Sequence, residues 1–410
     1  MTRTDVAQSI DAVWRIESAR LIAGLTRMVN DVGLAEELAQ DALVAALEQW
    51  PSEGTPKNPG AWLMAVSKRR AVDRIRRDQN RDVKYAEVGR TLQETTEFDA
   101  ALEDTIEDDL LRLMFVSCHP VLGTEARVAL TLKLLGGLKT GEIARAFLVS
   151  ESTVAQRIVR AKRALADAEV PFEVPGRDEL PDRLASVLEV IYLVFNEGYS
   201  ATAGDDWMRP EMCAEALRLG RLLAGLMPDE PEVHGLVALM EIQASRLQAR
   251  TKPDGTPILL LDQDRVRWDR MQIDRGLKAL ARAERLRPER GPYTQQAALA
   301  ACHARARTAA DTDWQRIAEL YAQLEPTPIV ELNRAVAVSM AHGPAAGLDI
   351  VDGLKDVAAL KNYHLLPSVR GDLLAKLGRT AEARAEFERA AQMTQNEQER
   401  KLLAQRAENL

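Results

Sequence analysis

The sequence predicts an all-α protein in which two small helical domains, joined by an acidic linker, precede a long domain of helical repeats. Aromatic residues make up only 4% of the 410 residues, while alanine and leucine are abundant and β-branched runs are few. That composition favours helix over strand. Apolar residues also recur at spacings of three and four along the chain, which is the period of an amphipathic helix. A repeat of paired helices is visible near the carboxyl end.

Charge and cysteine usage limit the class of protein. The formal net charge is −8, so any contact with nucleic acid has to come from local basic patches. No stretch approaches the ~18 apolar residues of a membrane span, and the amino end has no secretion-signal pattern. The three cysteines (Cys118, Cys213 and Cys302) are odd in number and widely spaced, which fits a reducing compartment. We therefore expect a cytoplasmic protein with no membrane partner.

The first predicted domain, residues 1–81, contains three helices. Two cover Trp14–Val29 and Ala35–Leu47, and the prolines and glycines of Trp50–Gly60 then form a loop. A third helix follows, opened by Trp62. An aromatic residue beside a basic groove is what single-strand binding uses, although a position in the core of the helix bundle suits Trp62 better. The candidate DNA-binding cations of this helix are Lys68, Arg69, Arg70, Arg74, Arg76 and Arg77.

The second predicted domain, residues 110–170, follows an acidic segment, residues 82–109. An acidic, weakly apolar run is typical of a solvated linker. Within the domain, TGEIARAFLVSESTVAQRIVRAKRAL (Thr140–Leu165) has the pattern of a helix-turn-helix. Ser150 suits the N-cap of its last helix, with Val154, Ile158, Ala161 and Leu165 facing inward. An ordinary basic hairpin would look similar, but the outer face carries groups that bind base edges and phosphates. The candidate DNA-binding residues there are Ser152, Thr153, Gln156, Arg157, Val159, Arg160 and Arg163.

The third predicted domain, residues 180–410, begins after the proline-containing segment VPFEVPGRDELPDR. Near its end, GDLLAKLGRTAEARAEFERAAQM fits the 34-residue tetratricopeptide (TPR) pattern. Gln395 stands where that repeat usually has proline, and Arg250–Arg270 reads as a loop that interrupts the array. Stacked helix pairs form a concave surface, so a protein or small-molecule partner is expected here. The small and large packing positions of the repeat are Gly371, Gly378, Ala383, Phe387 and Ala390.

The order of these motifs resembles one family. GLAEELAQDALVAALEQW and AWLMAVSKRRAVDRIRR, then the acidic linker and the helix-turn-helix, resemble regions 2 and 4 of an extracytoplasmic-function (ECF) sigma factor of bacterial RNA polymerase. The long helical remainder resembles the subgroup with a TPR-like extension. The partners that this resemblance implies are core RNA polymerase and promoter DNA.

The resemblance also implies roles for particular residues. Trp50–Gly60 would capture a flipped base of the minus-10 element, and Trp62–Arg77 would contact and melt that element. Many family members have asparagine where this sequence has Arg69, which leaves base preference open. The acidic linker would thread toward the RNA exit channel, because carboxylates imitate phosphates. Gln156, Val159 and Arg160 would face the minus-35 element, and the residues that dock on the clamp of the β′ subunit would be Glu36, Glu37, Gln40 and Asp41.

Other classes of function fit less well. The five histidines are scattered, no zinc-type quartet occurs, and neither a GK[ST] phosphate loop nor a G-x-S-x-G motif is present, so we expect no catalysis, metal or cofactor. A one-component helix-turn-helix regulator with a helical ligand- or protein-binding domain is the alternative. It would leave the basic helix and the acidic linker without a purpose. A helical scaffold whose first helices bind only protein is a further alternative.

Overall fold

The computed structural model describes residues 3–79, 102–200, 208–253 and 255–410. These residues form eighteen α-helices and no β-strand, with one isolated β-bridge between Thr251 and Pro257, so the predicted all-α class is confirmed. None of these helices is both long enough and apolar enough to span a membrane. The chain divides into two compact units, Met1–Leu193 and Val194–Leu410.

The first unit contains seven complete helices and most of an eighth, which crosses the division between the units. In chain order they are α1 (Arg3–Val29), α2 (Val32–Glu53), α3 (Pro59–Gln79), α4 (Leu102–Ser117), α5 (Thr124–Leu134), α6 (Thr140–Ala146), α7 (Glu151–Asp167) and α8 (Leu180–Tyr199).

Helix α2 begins and ends outside its predicted bounds. Asp31 caps it, because the side chain of Asp31 accepts a hydrogen bond of 2.9 Å from the backbone N–H of Leu34. The helix therefore starts at Val32, before Gly33, and Glu36 lies beyond its first turn. At the other end it continues past Pro51 and stops at Gly54, whose φ of +87° is readily adopted by glycine. The loop predicted for Trp50–Gly60 is thus reduced to residues 54–58.

Helix α3 packs on the bundle through small residues as well as apolar ones. Leu63, Ser67 and Ala71, spaced four apart, are fully buried, and the Ser67 hydroxyl donates to the carbonyl of Leu38 in α2 at 3.4 Å. The sequence predicts an apolar stripe of Leu63, Val66, Val72 and Ile75 on this helix; Leu63 is buried as predicted, whereas the other three are only partly buried. The buried face of α3 is therefore centred on Leu63, Ser67 and Ala71. The small side chains of Ser67 and Ala71 let α3 approach its neighbours closely.

Helix α4 begins at Leu102, eight residues inside the predicted linker of residues 82–109. The remainder of that linker, up to residue 101, lies outside the described residues. Asp109 is buried against Arg27 of α1 and Arg112, at 3.3 and 2.8 Å. Burial raises the pKa of the Asp109 carboxyl, and the two arginines oppose that shift. The last predicted linker residue is therefore part of a packed helix.

The two predicted amino-terminal domains pack against each other within the first unit. Arg15 of α1 pairs with Glu142 of α6 at 2.8 Å, and Lys139 pairs with Asp11 at 2.7 Å. Gly137 lies at the same contact with a φ of +64°, and a Cβ there would come within 2.8 Å of the Ser18 hydroxyl. The positive φ favours glycine here, and a larger residue would also have to displace the Ser18 hydroxyl. The sequence predicts two domains, residues 1–81 and 110–170, and in the structure they are packed together.

The start of α8 also belongs to the first unit. The Arg183 guanidinium donates to the Phe115 carbonyl at 3.0 Å, and the Ser186 hydroxyl donates to the Cys118 carbonyl at 2.6 Å. These carbonyls lie at the end of α4, where a helix leaves its last C=O groups unpaired. The division of the chain therefore falls inside α8, later than the predicted boundary between residues 170 and 180.

The second unit is an array of helices in which α16 and α17 pack as the repeat pattern predicts. Gly371 lies against the Phe387 ring, and Ala383, Phe387 and Ala390 are buried. The classification of the array as TPR-like stays a prediction. The helices are α9 (Pro210–Leu226), α10 (Pro231–Ala244), α11 (Arg270–Leu286), α12 (Pro292–Arg305), α13 (Trp314–Ala322), α14 (Pro328–His342), α15 (Pro344–Asp352), α16 (Leu365–Lys376), α17 (Thr380–Met393) and α18 (Glu397–Glu408).

Candidate nucleic-acid interface

Helix α7 is fixed at its start by a cluster of hydroxyl groups. The Ser150 side chain accepts a hydrogen bond from the backbone N–H of Thr153 at 3.1 Å, as the sequence predicts for an N-cap. The same hydroxyl lies 2.9 Å from that of Ser152 and 2.7 Å from that of Thr153. Two of the predicted DNA-binding residues, Ser152 and Thr153, therefore lie at the positive end of the helix, Ser152 exposed and Thr153 half-buried.

The rest of α7 has one buried face and one exposed face. Val154, Ile158, Ala161 and Leu165 are buried, as predicted, together with Ile143 and Ala144 of α6. The helix is thus held by its apolar side. Its opposite side is left for contacts outside the unit.

On the exposed face, neighbours inside the protein already bind some of the predicted residues. Arg157 pairs with Glu125 of α5 at 2.5 Å, and Arg163 pairs with Asp167 at 3.4 Å. Gln156, Val159 and Arg160 are exposed, Val159 to 65%, and form no ion pair or hydrogen bond with any described residue. The structure therefore presents an amide, a methyl-bearing side chain and a guanidinium side by side.

Helix α3 presents a second cationic surface. Arg69, Arg74 and Arg76 are exposed, and Lys68 and Arg70 are half-buried. Arg70 lies 3.4 Å from Asp41 of α2. The Arg77 side chain lies outside the described residues. Because the inner face of α3 is buried, these side chains form its outer surface.

Trp62 occupies an intermediate position between core and surface. Its ring meets that of Trp50 edge to face, with centroids 5.4 Å apart and an interplanar angle of 67°. Trp50 is buried, whereas Trp62 is half-buried at the start of α3. The Asn58 side chain accepts from the Ala61 N–H at 3.0 Å, which fixes the entry of the loop into the helix. Trp62 thus has both an anchored edge and an accessible one.

The face of α2 predicted to bind a protein partner is only partly exposed. Glu37, Gln40 and Asp41 are exposed, but Glu36 is 3% exposed. The Glu36 carboxylate pairs with Lys162 of α7, lies 3.6 Å from Lys133 of α5, and accepts from the Gln40 amide at 2.6 Å. The expectation that Glu36 belongs to an exposed polar face is therefore wrong for this structure, because two lysines from the second half of the unit cover it.

Two apolar residues on α2 were missed by sequence reasoning. Val44 and Leu47 are 50% and 47% exposed. Their spacing from Glu37 and Gln40 places all four on one face of the helix. The three- and four-residue spacing of these side chains is the signal in the sequence that could have indicated this face. We call Glu37, Gln40, Asp41, Val44 and Leu47 the α2 outer face.

The described residues offer no reactive cluster. All three cysteines are buried, and burial raises the pKa of the Cys118 thiol to about 11 and that of Cys213 to about 12, so both stay protonated. Across those residues, no group of three or more histidine, cysteine or acidic side chains could hold a metal ion. What the first unit offers is two cationic helix surfaces, suited to binding a polyanion.

Comparison with known families defines the class of protein. The sigma-70 region 2 family matches residues 16–81, which contain α2 and α3, and the sigma-70 region 4 family matches residues 112–165, which contain the helix-turn-helix. A family of unknown function, DUF6596, matches residues 183–284. Both cationic helices thus fall inside domains of RNA polymerase sigma factors.

Comparison with individual proteins agrees. An uncharacterized protein of Rhizobium meliloti is 43% identical over 386 residues, covering 92% of this chain and 90% of that protein. The probable ECF sigma factor SigI of Mycobacterium tuberculosis is 28% identical, over 40% of this chain and 57% of its own length. SigK of Mycobacterium ulcerans is 29% identical, over 36% of this chain and 78% of its own length. No solved structure matches.

The chain belongs to the extracytoplasmic-function family of RNA polymerase sigma factors, with a helical carboxyl-terminal extension. Members of this family are initiation factors that bind core RNA polymerase and promoter DNA, and they are not enzymes.

Proposed function

We propose that this sigma factor recognises its promoters through two separate surfaces of the first unit, α3 with the loop before it, and α7. The observation that supports this most directly is that α3 and α7 have the same arrangement of buried and cationic side chains. Each has a buried inner face and a cationic outer face, and the two helices lie in the segments that match sigma-70 region 2 and sigma-70 region 4.

The duplex minus-35 element would be read by α7. Gln156 and Arg160 carry the groups that bind adenine and guanine edges in pairs of hydrogen bonds, and the Val159 methyls suit a thymine methyl. Ser152 and Thr153, at the positive end of the helix, suit a phosphate. Arg157 and Arg163 flank this surface and would bind phosphates only by leaving their carboxylate partners, Glu125 and Asp167.

The minus-10 element would be bound by α3 as a single strand. Its cations, Lys68, Arg69, Arg70, Arg74, Arg76 and Arg77, would follow the phosphate backbone. The exposed edge of Trp62 would stack on a base, and the loop of residues 54–58 would receive the flipped one. Because this sequence has Arg69 where many family members have asparagine, the base preference at the minus-10 element has to be measured.

Core RNA polymerase would bind the α2 outer face, which combines carboxylates with exposed apolar side chains. Such a mixture is typical of a protein interface. Glu36 would join this contact only after leaving Lys133 and Lys162. The chain is expected to act where RNA polymerase acts, in the cytoplasm.

The helical extension would regulate the first unit in cis or bind a partner. The test is transcription in vitro with core polymerase and a promoter library, comparing the full chain with a chain ended after Ser200. This end point keeps α8 whole, since Arg183 and Ser186 belong to the first unit. Unchanged promoter selection and yield would contradict a regulatory role.

The same experiment separates the alternatives. A sigma factor yields transcripts only with core polymerase, and selected promoters share two elements at a fixed spacing. A one-component regulator would instead bind a single duplex site without polymerase. Tight, sequence-specific binding by the isolated chain, with no transcripts, would overturn the proposed function.

A further inference from the structure

The second unit encloses a cavity that the transcription mechanism does not use. Its volume is about 280 Å³, and it lies among α10, α12, α13, α14 and the interrupting loop of residues 250–270. Much of its wall is aromatic or apolar, including Trp268, Trp314, Tyr321 and Leu299. Pockets that bind small molecules have this composition, with a few polar groups that fix the ligand.

The main polar group is the guanidinium of Arg246, which is fixed in place. Its Nη2 donates to the Tyr199 hydroxyl at 2.5 Å and to the Gln243 amide oxygen. Its Cζ lies 5.7 Å from the ring centroids of both Tyr199 and Trp268. All these neighbours are neutral, and within the described parts of the chain no carboxylate pairs with Arg246. As far as the described residues show, a positioned cation without a counterion therefore lines the cavity.

A second cation lies behind the wall. Arg265 is buried, stacks over the Trp268 ring at 4.8 Å, and donates to the carbonyls of His303 and Ala306 at 2.8 and 3.0 Å. It also donates to the Thr312 hydroxyl. Burial is the largest influence on Arg265 and lowers its pKa, and the nearby charge of Arg246 lowers it further. Asp311 acts in the opposite direction without forming an ion pair with Arg265.

The positive charges of the two arginines also affect the pKa of His303. Burial lowers the pKa of its imidazole to about 4, and the positive charges of Arg246 and Arg265 add to the shift. The ring is neutral at pH 7 and lies edge-on to Trp314, with centroids 5.1 Å apart. Histidine therefore adds no charge, and the cavity is electrostatically positive.

The wall also contains polar atoms without partners. The indole N–H of Trp268, the Nε–H of Arg246 and the Nδ1 atom of His303 are buried and have no hydrogen-bond partner among the residues that the structure describes. Buried donors are nearly always paired in folded proteins, because an unpaired one costs stability. A small adjustment of these side chains around an anion would satisfy them.

We propose that this cavity binds a small organic carboxylate with an aromatic or branched apolar body, whose carboxylate pairs with Arg246. The guanidinium supplies the planar, charged partner that a carboxylate prefers. The aromatic walls would bury the body of the ligand, and the volume suits a single ring with its substituents. The site lies wholly in the extension, so the inference does not depend on the proposed function.

The proposal is tested with four probes of matched size or charge, titrated into the full-length protein: benzoate, benzamide, benzylamine and inorganic phosphate. Binding is followed by calorimetry and by the indole N–H resonance of Trp268, assigned with Trp268→Phe. We expect benzoate to bind with a Kd of about 1 mM, as its few atoms allow. Benzamide, benzylamine and phosphate should bind at least about tenfold more weakly, since each lacks either the charge or the ring.

Three variants identify the site. Arg246→Met should weaken benzoate binding at least about tenfold. Val336→Phe keeps every charge but fills the cavity from its partly exposed rim, and should also abolish binding. Arg285→Met removes a matched charge from the exposed end of α11 and should bind benzoate normally.

Several outcomes would overturn the proposal. They are equal binding of benzoate and benzamide, equal binding of benzoate and phosphate, no benzoate binding, or unchanged binding in folded Val336→Phe. The experiment uses neither polymerase nor DNA, so its failure would leave the proposed transcription function intact.

Discussion

Single residues on α7 divide into those that hold the helix and those that face outward without a partner. Ser150 caps it, Arg157 pairs with Glu125, and Gln156 and Arg160 remain unengaged within the described structure. The sequence correctly predicted the Ser150 cap and the exposure of Gln156 and Arg160. It could not show which were already paired, because Glu125 lies in another helix and spacing along α7 contains no information about it.

Arg160→Ala tests whether the unengaged guanidinium reads DNA. We expect the polymerase holoenzyme to lose about 1–3 kcal/mol of binding free energy at its preferred promoter, with discrimination relaxed at one minus-35 base pair. Arg177→Ala removes the same charge from an exposed loop position and serves as the control. Promoter binding measured over a range of salt checks both variants. An equal loss in the two would indicate a general charge effect instead of base readout.

His303 makes a prediction about pH. Its pKa is about 4 in the folded protein and near 6.5 when unfolded, so the unfolded chain takes up the proton first as pH falls. Stability is therefore fully present above pH 6.5 and is lost as pH falls toward 4, by about 2–3 kcal/mol. His303→Gln removes this contribution. Urea unfolding of both proteins at pH 7 and pH 4.5 should show a stability difference that changes with pH, and a constant difference would contradict the prediction.

At the scale of helices, the features set by adjacent residues were predictable from the sequence, and those set by contacts between helices were not. The Ser150 cap and the buried face of α7 follow from a few adjacent residues. The sequence predicts α2 over Ala35–Leu47, whereas the Asp31 cap starts the helix at Val32 and the helix continues through Pro51 to Glu53. Helix α4 extends into the acidic segment because Asp109 is buried against Arg27, a contact across 82 positions of sequence.

The α2 outer face makes a prediction at this scale. Leu47→Asp places a charge among its exposed side chains and should weaken binding to core polymerase by about 1–3 kcal/mol, as loss of a buried interface residue does. Val121→Asp is the matched control, because Val121 is 47% exposed, as is Leu47, but lies between α4 and α5. Competition with a fluorescent sigma factor for core polymerase measures both. Equal affinities would exclude α2 from the interface.

At the scale of the whole first unit, the sequence correctly predicted a sigma region 2 segment and a sigma region 4 segment but not their mutual contact. Glu36 and Lys162 are separated by 126 positions, and both sit on faces that looked solvated. Nothing in either helix alone indicates that the other covers it. The sequence suggested independent domains for this reason, whereas the ion pairs and Gly137 bring them together.

Lys162→Glu tests that contact. It replaces the ion pair to the buried Glu36 with a repulsion and should destabilise the packing of α2 on α7 by at least about 2 kcal/mol. Amide hydrogen exchange in α2 should then accelerate in the full-length protein. Arg163→Glu makes the same charge change at the neighbouring position, where the side chain is exposed, and should leave α2 protected. Equal protection in both variants would show that the contact contributes little.

The position of Glu36 has a consequence for how tightly the polymerase can bind. Two other ion pairs join the same halves of the unit, Arg15 with Glu142 and Lys139 with Asp11. In each pair at least one side chain is exposed, so each contributes about 0–1 kcal/mol and weakens as salt rises. If α2 docks as proposed, the Glu36 carboxylate can pair either with Lys133 and Lys162 of its own chain or with the polymerase. The free energy needed to separate Glu36 from these lysines then weakens the binding of the sigma factor to core polymerase by the same amount. Ionic strength would thus change polymerase affinity through the sigma factor itself, before any DNA is bound.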